Sequence, residues 1–352
     1  MHPHLWIRAE TRNHEARAGI TPDGVRRLMA AGFPVTVEAS PVRAIPDADY
    51  AATGATMAAT GSWPDAPKGA IICGLKELPD SDAPLVHRHI TFGHAFKGQA
   101  DAPHLLRRFR DGGGALYDLE YLVDEAGRRV AAFGYWAGFA GAAVGVMAWL
   151  AQQAGSPLGA VAPYRDKDTL MAELGARLSA CAANPPSAIV IGAKGRVGQG
   201  ASDLFDALGI SVTRWDMAET ASGGPFPQLL THEIFVNAVL AMPGIPVFVP
   251  KSALAAERAL SVIADVSCDP SSPFNPIPVY ETATSFAAPL LRVADAPVLD
   301  VMAIDNLPSM LPRESSEDFA AQLLPHLLTL DRIDSGIWAR ARAIFDTHLS
   351  RL

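Results

Sequence analysis

The segment SAIVIGAKGRVGQGASDLFDALGISVTRWD, residues 187–216, constrains the fold more than any other part of the chain. An apolar run enters a glycine-rich turn, a helical pattern follows, and a second alternating run ends at Asp216. Strand, turn, helix and strand in so short a span form the βαβ unit of a parallel sheet. Gly192, Gly195 and Gly198 occupy the turn. Glycine there lets backbone amides approach a pyrophosphate, and the helix N-terminus adds donors and a favourable dipole. The spacing is G-x-x-G-x-x-G, with Ala193 where the standard G-x-G-x-x-G register has its first glycine. Asp216 lies eighteen residues past Gly198, where a carboxylate accepts ribose hydroxyls and repels a 2′-phosphate. Turn, position and acid together predict a dinucleotide site with NAD preferred over NADP. The alternative is a tight structural turn followed by an ordinary strand-end acid.

The rest of the chain extends this pattern. LWIRAE (5–10), PVTVEAS, AIICGLKE (70–77), HITFGHAF (89–96) and ALYDLEYL read as strands. TPDGVRRLMAAG and APHLLRRFRDGG read as helices between them. EIFVNAVL (233–240) and SVIADVS (261–267) continue the strands beyond the glycine turn. Alternation of this kind predicts parallel sheets with helices on both faces. Asp269 to Asn306, rich in Pro and Ser, reads as loops around a site, and FAAQLLPHLLTL and SGIWARARAIFDTHLSRL as closing helices. A length of 352 residues suits about two domains. An apolar content of 49% with 19% charged residues fills a core and excludes a disordered chain.

Between Val130 and Tyr164 no charged residue occurs, and G-x-x-x-G spacing appears at Gly134–Gly138 and Gly141–Gly145. The run is long enough to span a bilayer, but Ala and Gly contribute little insertion energy. A buried core helix near 134–153 is therefore expected, with a single membrane span as the alternative. A net charge of −8 lacks the basic footprint that a nucleic-acid partner needs. Cys73, Cys181 and Cys268 are far apart and odd in number, which excludes a disulfide scaffold and a Cys-only zinc site and points to a reducing compartment. The opening residues contain no apolar leader core, so a cytoplasmic location is expected. The closing Ser350-Arg351-Leu352 is a variant of the peroxisomal address, meaningful only in a eukaryote and too short to outweigh chance.

Chemistry is expected at strand ends. Lys76 and Glu77 close AIICGLKE, and His94 closes the next apolar run. A partly buried lysine loses its proton near neutral pH, an adjacent carboxylate restrains that shift, and histidine titrates in the same range. Together they suit general acid–base work. The bland reading is a surface Lys–Glu step and a satisfied strand-end histidine. Arg8, Arg12, Arg17, Arg128 and Arg129 cluster near strand ends, which points to a substrate with several carboxylates, unless they are solvated surface cations.

Long stretches in order resemble the NAD-dependent, L-lysine-forming saccharopine dehydrogenase family, which belongs with alanine dehydrogenase and the transhydrogenase nucleotide-binding chain. They include RAETRNHEARAGITP (8–22), GLKELP (74–79), LVHRHITFGHAFKGQA (85–100), LYDLEYL (116–122) and GRRVAAFGYWAGFAGAAVG (127–145). IGAKGRVGQGA (191–201), RWDMAET (214–220), GGPF (223–226), DVSCDPSSPFNPIPVY (265–280) and AIDNLPSMLPRESSEDF (303–319) continue the likeness. The resemblance implies two Rossmann-like, doubly wound α/β domains with the active site in the interdomain cleft. The substrate-side domain would be 1–132 plus 312–352, and the NAD-binding domain 133–311, beginning with the uncharged helix. It implies NAD+-dependent oxidation of saccharopine to L-lysine and 2-oxoglutarate through an imine and a carbinolamine. Lys76 and His94 match the catalytic positions. Arg17, Gln99, Arg129, Phe133, Ser267, Cys268 and Asp269 match substrate contacts. Arg128, Gly195, Arg196, Asp216, Thr220, Leu240, Val266, Ile304, Asp305, Asn306 and Leu307 match cofactor contacts. No metal is implied, and a monomer or weak homo-oligomer is expected.

Departures from the family pattern fall at the nucleotide pocket. Two cysteines of fungal members are Val197 and Ala238 here, a tyrosine is Leu240, and a basic residue near the ribose is Ser222. A lysine of the first motif is Arg12, which keeps its charge. The competing readings are a sibling amino-acid or opine dehydrogenase and a non-catalytic NAD-binding protein.

Overall fold

The computed structural model describes residues 2–12, 15–99 and 101–352. The motif positions Asn13, His14 and Ala100 lie outside the described residues. The chain divides into two compact units, Met1–Ala132 with Pro312–Leu352, and Phe133–Leu311.

The first unit is built on a six-stranded parallel sheet in the order β3-β2-β1-β4-β5-β6. Its strands are β1 (Leu5–Ile7), β2 (Val35–Glu38), β3 (Thr56–Ala58), β4 (Ile71–Cys73), β5 (Arg88–Thr91) and β6 (Ala115–Asp118). Helices α1 (Pro22–Ala30), α2 (Asp47–Ala51) and α3 (Ala102–Gly112) connect them. Thr21 caps α1 with Pro22 in its first turn, and α3 stops at Gly113, whose φ of 73° is the left-handed turn that glycine tolerates best. The closing helices are α8 (Pro312–Leu327) and α9 (Gly336–Leu349). Aromatic side chains of α9 pack edge to face on β6 and α3: Trp338 meets Tyr117, and Phe345 meets Phe109.

The second unit carries a sheet in the order β11-β12-β10-β9-β7-β8. Its strands are β7 (Ser187–Ile191), β8 (Ser211–Trp215), β9 (Ile234–Asn237), β10 (Val262–Asp265), β11 (Leu291–Asp295) and β12 (Val298–Met302). All neighbours are parallel except the edge pair β11–β12. Its helices are α4 (Gly134–Gln153), α5 (Lys167–Ala180), α6 (Arg196–Ala207) and α7 (Met217–Thr220). The presence of β11 and β12 corrects the loop reading of 269–306.

Helix α4 is long and apolar enough to cross a membrane by length and composition. Here it lies in the core of the second unit, buried from Gly138 to Ala151. Its glycines are contact points. A Cβ on Gly138 would sit 1.8 Å from the Val197 carbonyl oxygen, and one on Gly200 of α6 would sit 1.9 Å from that of Tyr135. The two helices therefore meet backbone to backbone, and the glycine spacing serves that approach within a single chain.

Candidate functional site

In doubly wound sheets, ligands collect beyond the carboxyl ends of the strands where the strand order reverses. In the first unit that reversal lies between β1 and β4. The segments leaving those strands are Arg8–Glu10 and Gly74–Glu77. Both strands are shorter than their apolar runs suggest. Lys76 lies three residues past β4 and His94 three past β5, so both project from irregular chain rather than from the ladder.

Lys76 is half-buried. Desolvation lowers its pKa, Arg17 and Arg12 lower it further, and Glu15 and Glu77 oppose them. His94 Nε2 is 3.4 Å from Glu77 Oε1, and Arg12 Nη1 is 3.7 Å from the same oxygen. The backbone of His94 has φ 49°; Cys268 shares that value, and these are the only non-glycine residues with positive φ among the described residues. Such a conformation costs about 1–3 kcal/mol and persists only where its surroundings impose it. Both residues match site positions of the resemblance.

The arginines divide. Arg17 is buried, with Nε 2.8 Å from Glu15 Oε1 and Nη2 2.6 Å from Oε2. Burial raises the Glu15 carboxyl, but its bonds with Arg17 prevail and hold it below the usual range. Arg8 is no substrate cation: it is buried, and its guanidinium donates to the carbonyls of Ala9, Lys76 and Glu77. That corrects the reading of five equivalent arginines. Arg128 is exposed and pairs with Asp124 at 3.0 Å. Arg129 is exposed and makes no ion pair among the described residues. Gln99 Oε1 accepts the Lys97 amide, while Lys97 Nζ pairs with Glu120 at 2.6 Å.

Asp118, Glu120, Glu15 and Glu10 join this neighbourhood without having been singled out for a role. Asp118 is buried at the end of β6 and accepts the amides of Gly93 and Glu120; burial pushes its carboxyl up to about 6. These acids lie within the matching motifs, but no period or spacing marks them.

In the second unit the order reverses between β7 and β9. The turn after β7 runs from Gly192 to α6, whose N-cap is Gly195 and so offers no side-chain cap. A Cβ on Gly198 would lie 2.2 Å from the Gly192 carbonyl oxygen, so the turn closes tightly because that side chain is absent. An uncapped helix start behind a glycine turn is a cradle for a diphosphate. Arg196 is exposed at its mouth. Asp216 caps α7, and its carboxylate accepts the amides of Lys194 and Met217 at 2.9 Å each, which holds it below the usual range. Each oxygen retains a second lone pair for a hydroxyl donor. Thr220 closes α7 by donating its amide and hydroxyl back to the Asp216 carbonyl. These residues fit a dinucleotide.

The carboxyl ends of β9, β10 and β12 complete the same edge. Asp265 is buried and accepts from Tyr280 Oη (2.6 Å), Asn237 Nδ2 (2.9 Å) and the amides of Ser267 and Cys268. The Ser267 hydroxyl donates to the Val239 carbonyl at 2.6 Å, and the Cys268 thiol to the Ala303 carbonyl at 3.0 Å. Burial, with the nearby charges of Asp305, Asp265 and Asp269, pushes that thiol up to about 12. Cys268 is thus a structural thiol on a strained turn. Asp269 and Asp305 are exposed. Val266 bonds to the Asn237 carbonyl, Ile304 and Leu307 are buried, and Asn306 donates to Ser309 Oγ at 2.7 Å. Leu240 is 65% exposed beyond β9, and Phe133 accepts the Ala137 amide at the start of α4.

Comparison with known proteins gives this arrangement a family. The alanine dehydrogenase/PNT N-terminal domain family matches residues 6–140. A saccharopine dehydrogenase (NAD+, L-lysine-forming) of Candida albicans is 46% identical, with 99% of this chain and 97% of the relative covered. The enzyme of the same name in Yarrowia lipolytica is also 46% identical, covering 99% and 98%. The chain belongs to the saccharopine dehydrogenase (NAD+, L-lysine-forming) family. Among solved structures, an L-alanine dehydrogenase superposes with a TM-score of 0.66 at 17% identity, covering 97% of this chain and 93% of that one. A transhydrogenase from Sinorhizobium meliloti gives 0.66 at 16%, covering 96% and 97%. Those two establish the fold: Rossmann-like, in two units. Within the saccharopine dehydrogenase family, this member sets Lys76 and His94 on loops beyond neighbouring parallel strands of its first unit.

Proposed function

We propose that the protein oxidises saccharopine with NAD+ and water, releasing L-lysine and 2-oxoglutarate. The observation that carries the reading is the cluster around Lys76, in a chain 46% identical over 99% of its length to enzymes of that name. The first unit then supplies proton transfer and the second holds the dinucleotide. When bound, the cofactor supplies a hydride acceptor for the glutamate-side carbon of the substrate's secondary amine.

Neutral Lys76 accepts the amine proton as the carbon–nitrogen double bond forms. Its lowered pKa leaves more of the amine uncharged at a given pH than an ordinary lysine has. His94 takes a proton from the water that adds to the imine carbon. It returns a proton to the departing nitrogen as the carbinolamine breaks to lysine and the keto acid. Glu77, 3.4 Å from Nε2, orients the ring. In the first unit Arg17, Arg129 and Gln99 supply donors to a substrate bearing three carboxylates. In the second unit Gly195, Arg196, Asp216, Thr220, Leu240, Val266 and residues 304–307 surround the dinucleotide. The partners are small molecules, and the location proposed is cytoplasmic.

The test is product identification. Incubation with saccharopine and NAD+ yields NADH, L-lysine and 2-oxoglutarate in equal amounts. Equal or faster NADH formation from alanine or a simple opine would replace this reading with that of a sibling dehydrogenase.

A further inference from the structure

The peptide unit of Lys76 is held on both sides by buried charge. Glu10 Oε1 accepts the Leu75 amide at 2.7 Å and Oε2 the Lys76 amide at 2.9 Å. On the other side the Lys76 carbonyl accepts from the Arg8 guanidinium and the Thr91 hydroxyl, and Arg8 also reaches the Glu77 carbonyl at 3.1 Å. Arg8 Nη1 and Glu10 Oε2 are 3.4 Å apart, with side chains 1% and 8% exposed. Gly74 belongs to the same device: a Cβ there would lie 2.3 Å from Arg8 Nε and 2.6 Å from Cζ. The guanidinium lies across the glycine, where any side chain would displace it.

A buried ion pair is a poor way to gain stability, because desolvating two charges offsets their attraction. Bonds from the pair to Leu75, Lys76 and Glu77 fix a segment that has already left the β4 ladder. We infer that Arg8 and Glu10, with Gly74 making room for them, are positioning residues that hold the Lys76 backbone so that its amine meets the substrate nitrogen. The inference rests on the proposed role of Lys76. It goes beyond that role by assigning the buried pair an effect on turnover rather than on binding. General-base catalysis depends steeply on placement of the base, and displacement by about 1 Å costs roughly a hundredfold.

The experiment is a steady-state comparison of the full chain with Glu10→Gln, Gly74→Ala, Lys76→Met and the double variant Glu10→Gln/Lys76→Met, with saccharopine and NAD+. Circular dichroism gives the folded fraction, so that Gly74→Ala keeps the test valid if Glu10→Gln folds poorly. Glu10→Gln and Gly74→Ala should each lower kcat about 10- to 100-fold per folded molecule, with both KM values within about threefold of the parent. The double variant should match Lys76→Met, because the pair acts through the lysine. Parental kcat in Glu10→Gln and Gly74→Ala, with Lys76→Met inactive, would overturn the inference alone. So would a further loss in the double variant below Lys76→Met. Parental turnover in Lys76→Met would overturn the proposed role of the lysine, and the inference with it.

Discussion

His94 Nε2 lies 3.4 Å from Oε1 of Glu77, the residue that follows Lys76, so one carboxylate links the two groups proposed to move protons. The same carboxylate opposes the lowering of the Lys76 pKa by burial, Arg17 and Arg12. For saccharopine oxidation the active form of Lys76 is neutral, so kcat/KM rises as pH climbs through its pKa, below the ordinary lysine range. Glu77→Gln removes an opposing charge and moves that limb to lower pH, whereas Arg12→Met removes a cation and moves it to higher pH. Profiles of kcat/KM against pH for the three proteins check both directions. Since Glu77 also orients His94, Glu77→Gln lowers the plateau about tenfold.

A second titration affects stability. His89 is buried between Trp63 and Phe109, which meet it edge to face, and neither ring nitrogen has a hydrogen-bond partner among the described residues. Burial, with Arg8 nearby, holds its pKa well below the ordinary 6.5. The unfolded chain takes up a proton near 6.5 that the folded one refuses. His89 therefore contributes a loss of stability as pH falls below 6.5, up to about 1.4 kcal/mol per pH unit. His89→Phe removes that contribution and two unpaired buried nitrogens, which stabilises the fold by about 1 kcal/mol at neutral pH. Thermal melts of parent and variant between pH 7 and 5 should diverge as the solution becomes more acid. A constant difference would contradict this account.

Contact between α4 and α6 predicts a severe effect from the smallest side chain. In Gly200→Ala the new methyl meets the Tyr135 carbonyl at 1.9 Å, and in Gly138→Ala that of Val197 at 1.8 Å. Backbone must move in both, at a cost of about 3 kcal/mol or more. Gly175→Ala, in α5 with open space around its Cβ position, serves as the comparison and should gain about 1 kcal/mol. Urea denaturation of the three variants reads the contrast.

Asp216 predicts cofactor choice. Its carboxylate stands at the end of β8, anchored by the Lys194 and Met217 amides. Asp216→Ser removes the charge that repels a 2′-phosphate and a pair of hydroxyl acceptors. The ratio of kcat/KM for NAD+ over NADP+ should fall at least tenfold, mainly through weaker NAD+ use.

The fold class was legible because its signals are local: apolar strands, a glycine turn and an acid at a set distance. Two other features were hidden by specific contacts. Strand β12 contains Asp300, which breaks its apolar run; burial is possible because Arg292 and Gln152 satisfy the carboxylate at 2.6 and 2.8 Å. Its neighbour β11 is a short antiparallel edge strand, LRVAD, in which Leu291, Arg292 and Asp295 are exposed. The ends of β4 and β5 were read too far because Leu75 and Phe92 are buried like strand residues, while Glu10, Arg8 and Asp118 supply bonds there in place of the ladder. Pairings between residues so far apart in sequence leave no periodic trace. For the same reason Arg8 read as one of five cations facing a substrate, although its guanidinium lies across Gly74.

The central claim is that Lys76 and His94, both in the first unit, carry the proton transfers of saccharopine oxidation. Its most direct test is the rate of NADH formation from saccharopine by Lys76→Met and His94→Gln, with NADH affinity measured by fluorescence on the same samples. Each variant should lose at least about a hundredfold in kcat, with NADH affinity within about threefold of the parent. Parental turnover in either variant, or loss of turnover that merely follows loss of NADH binding, would contradict the account.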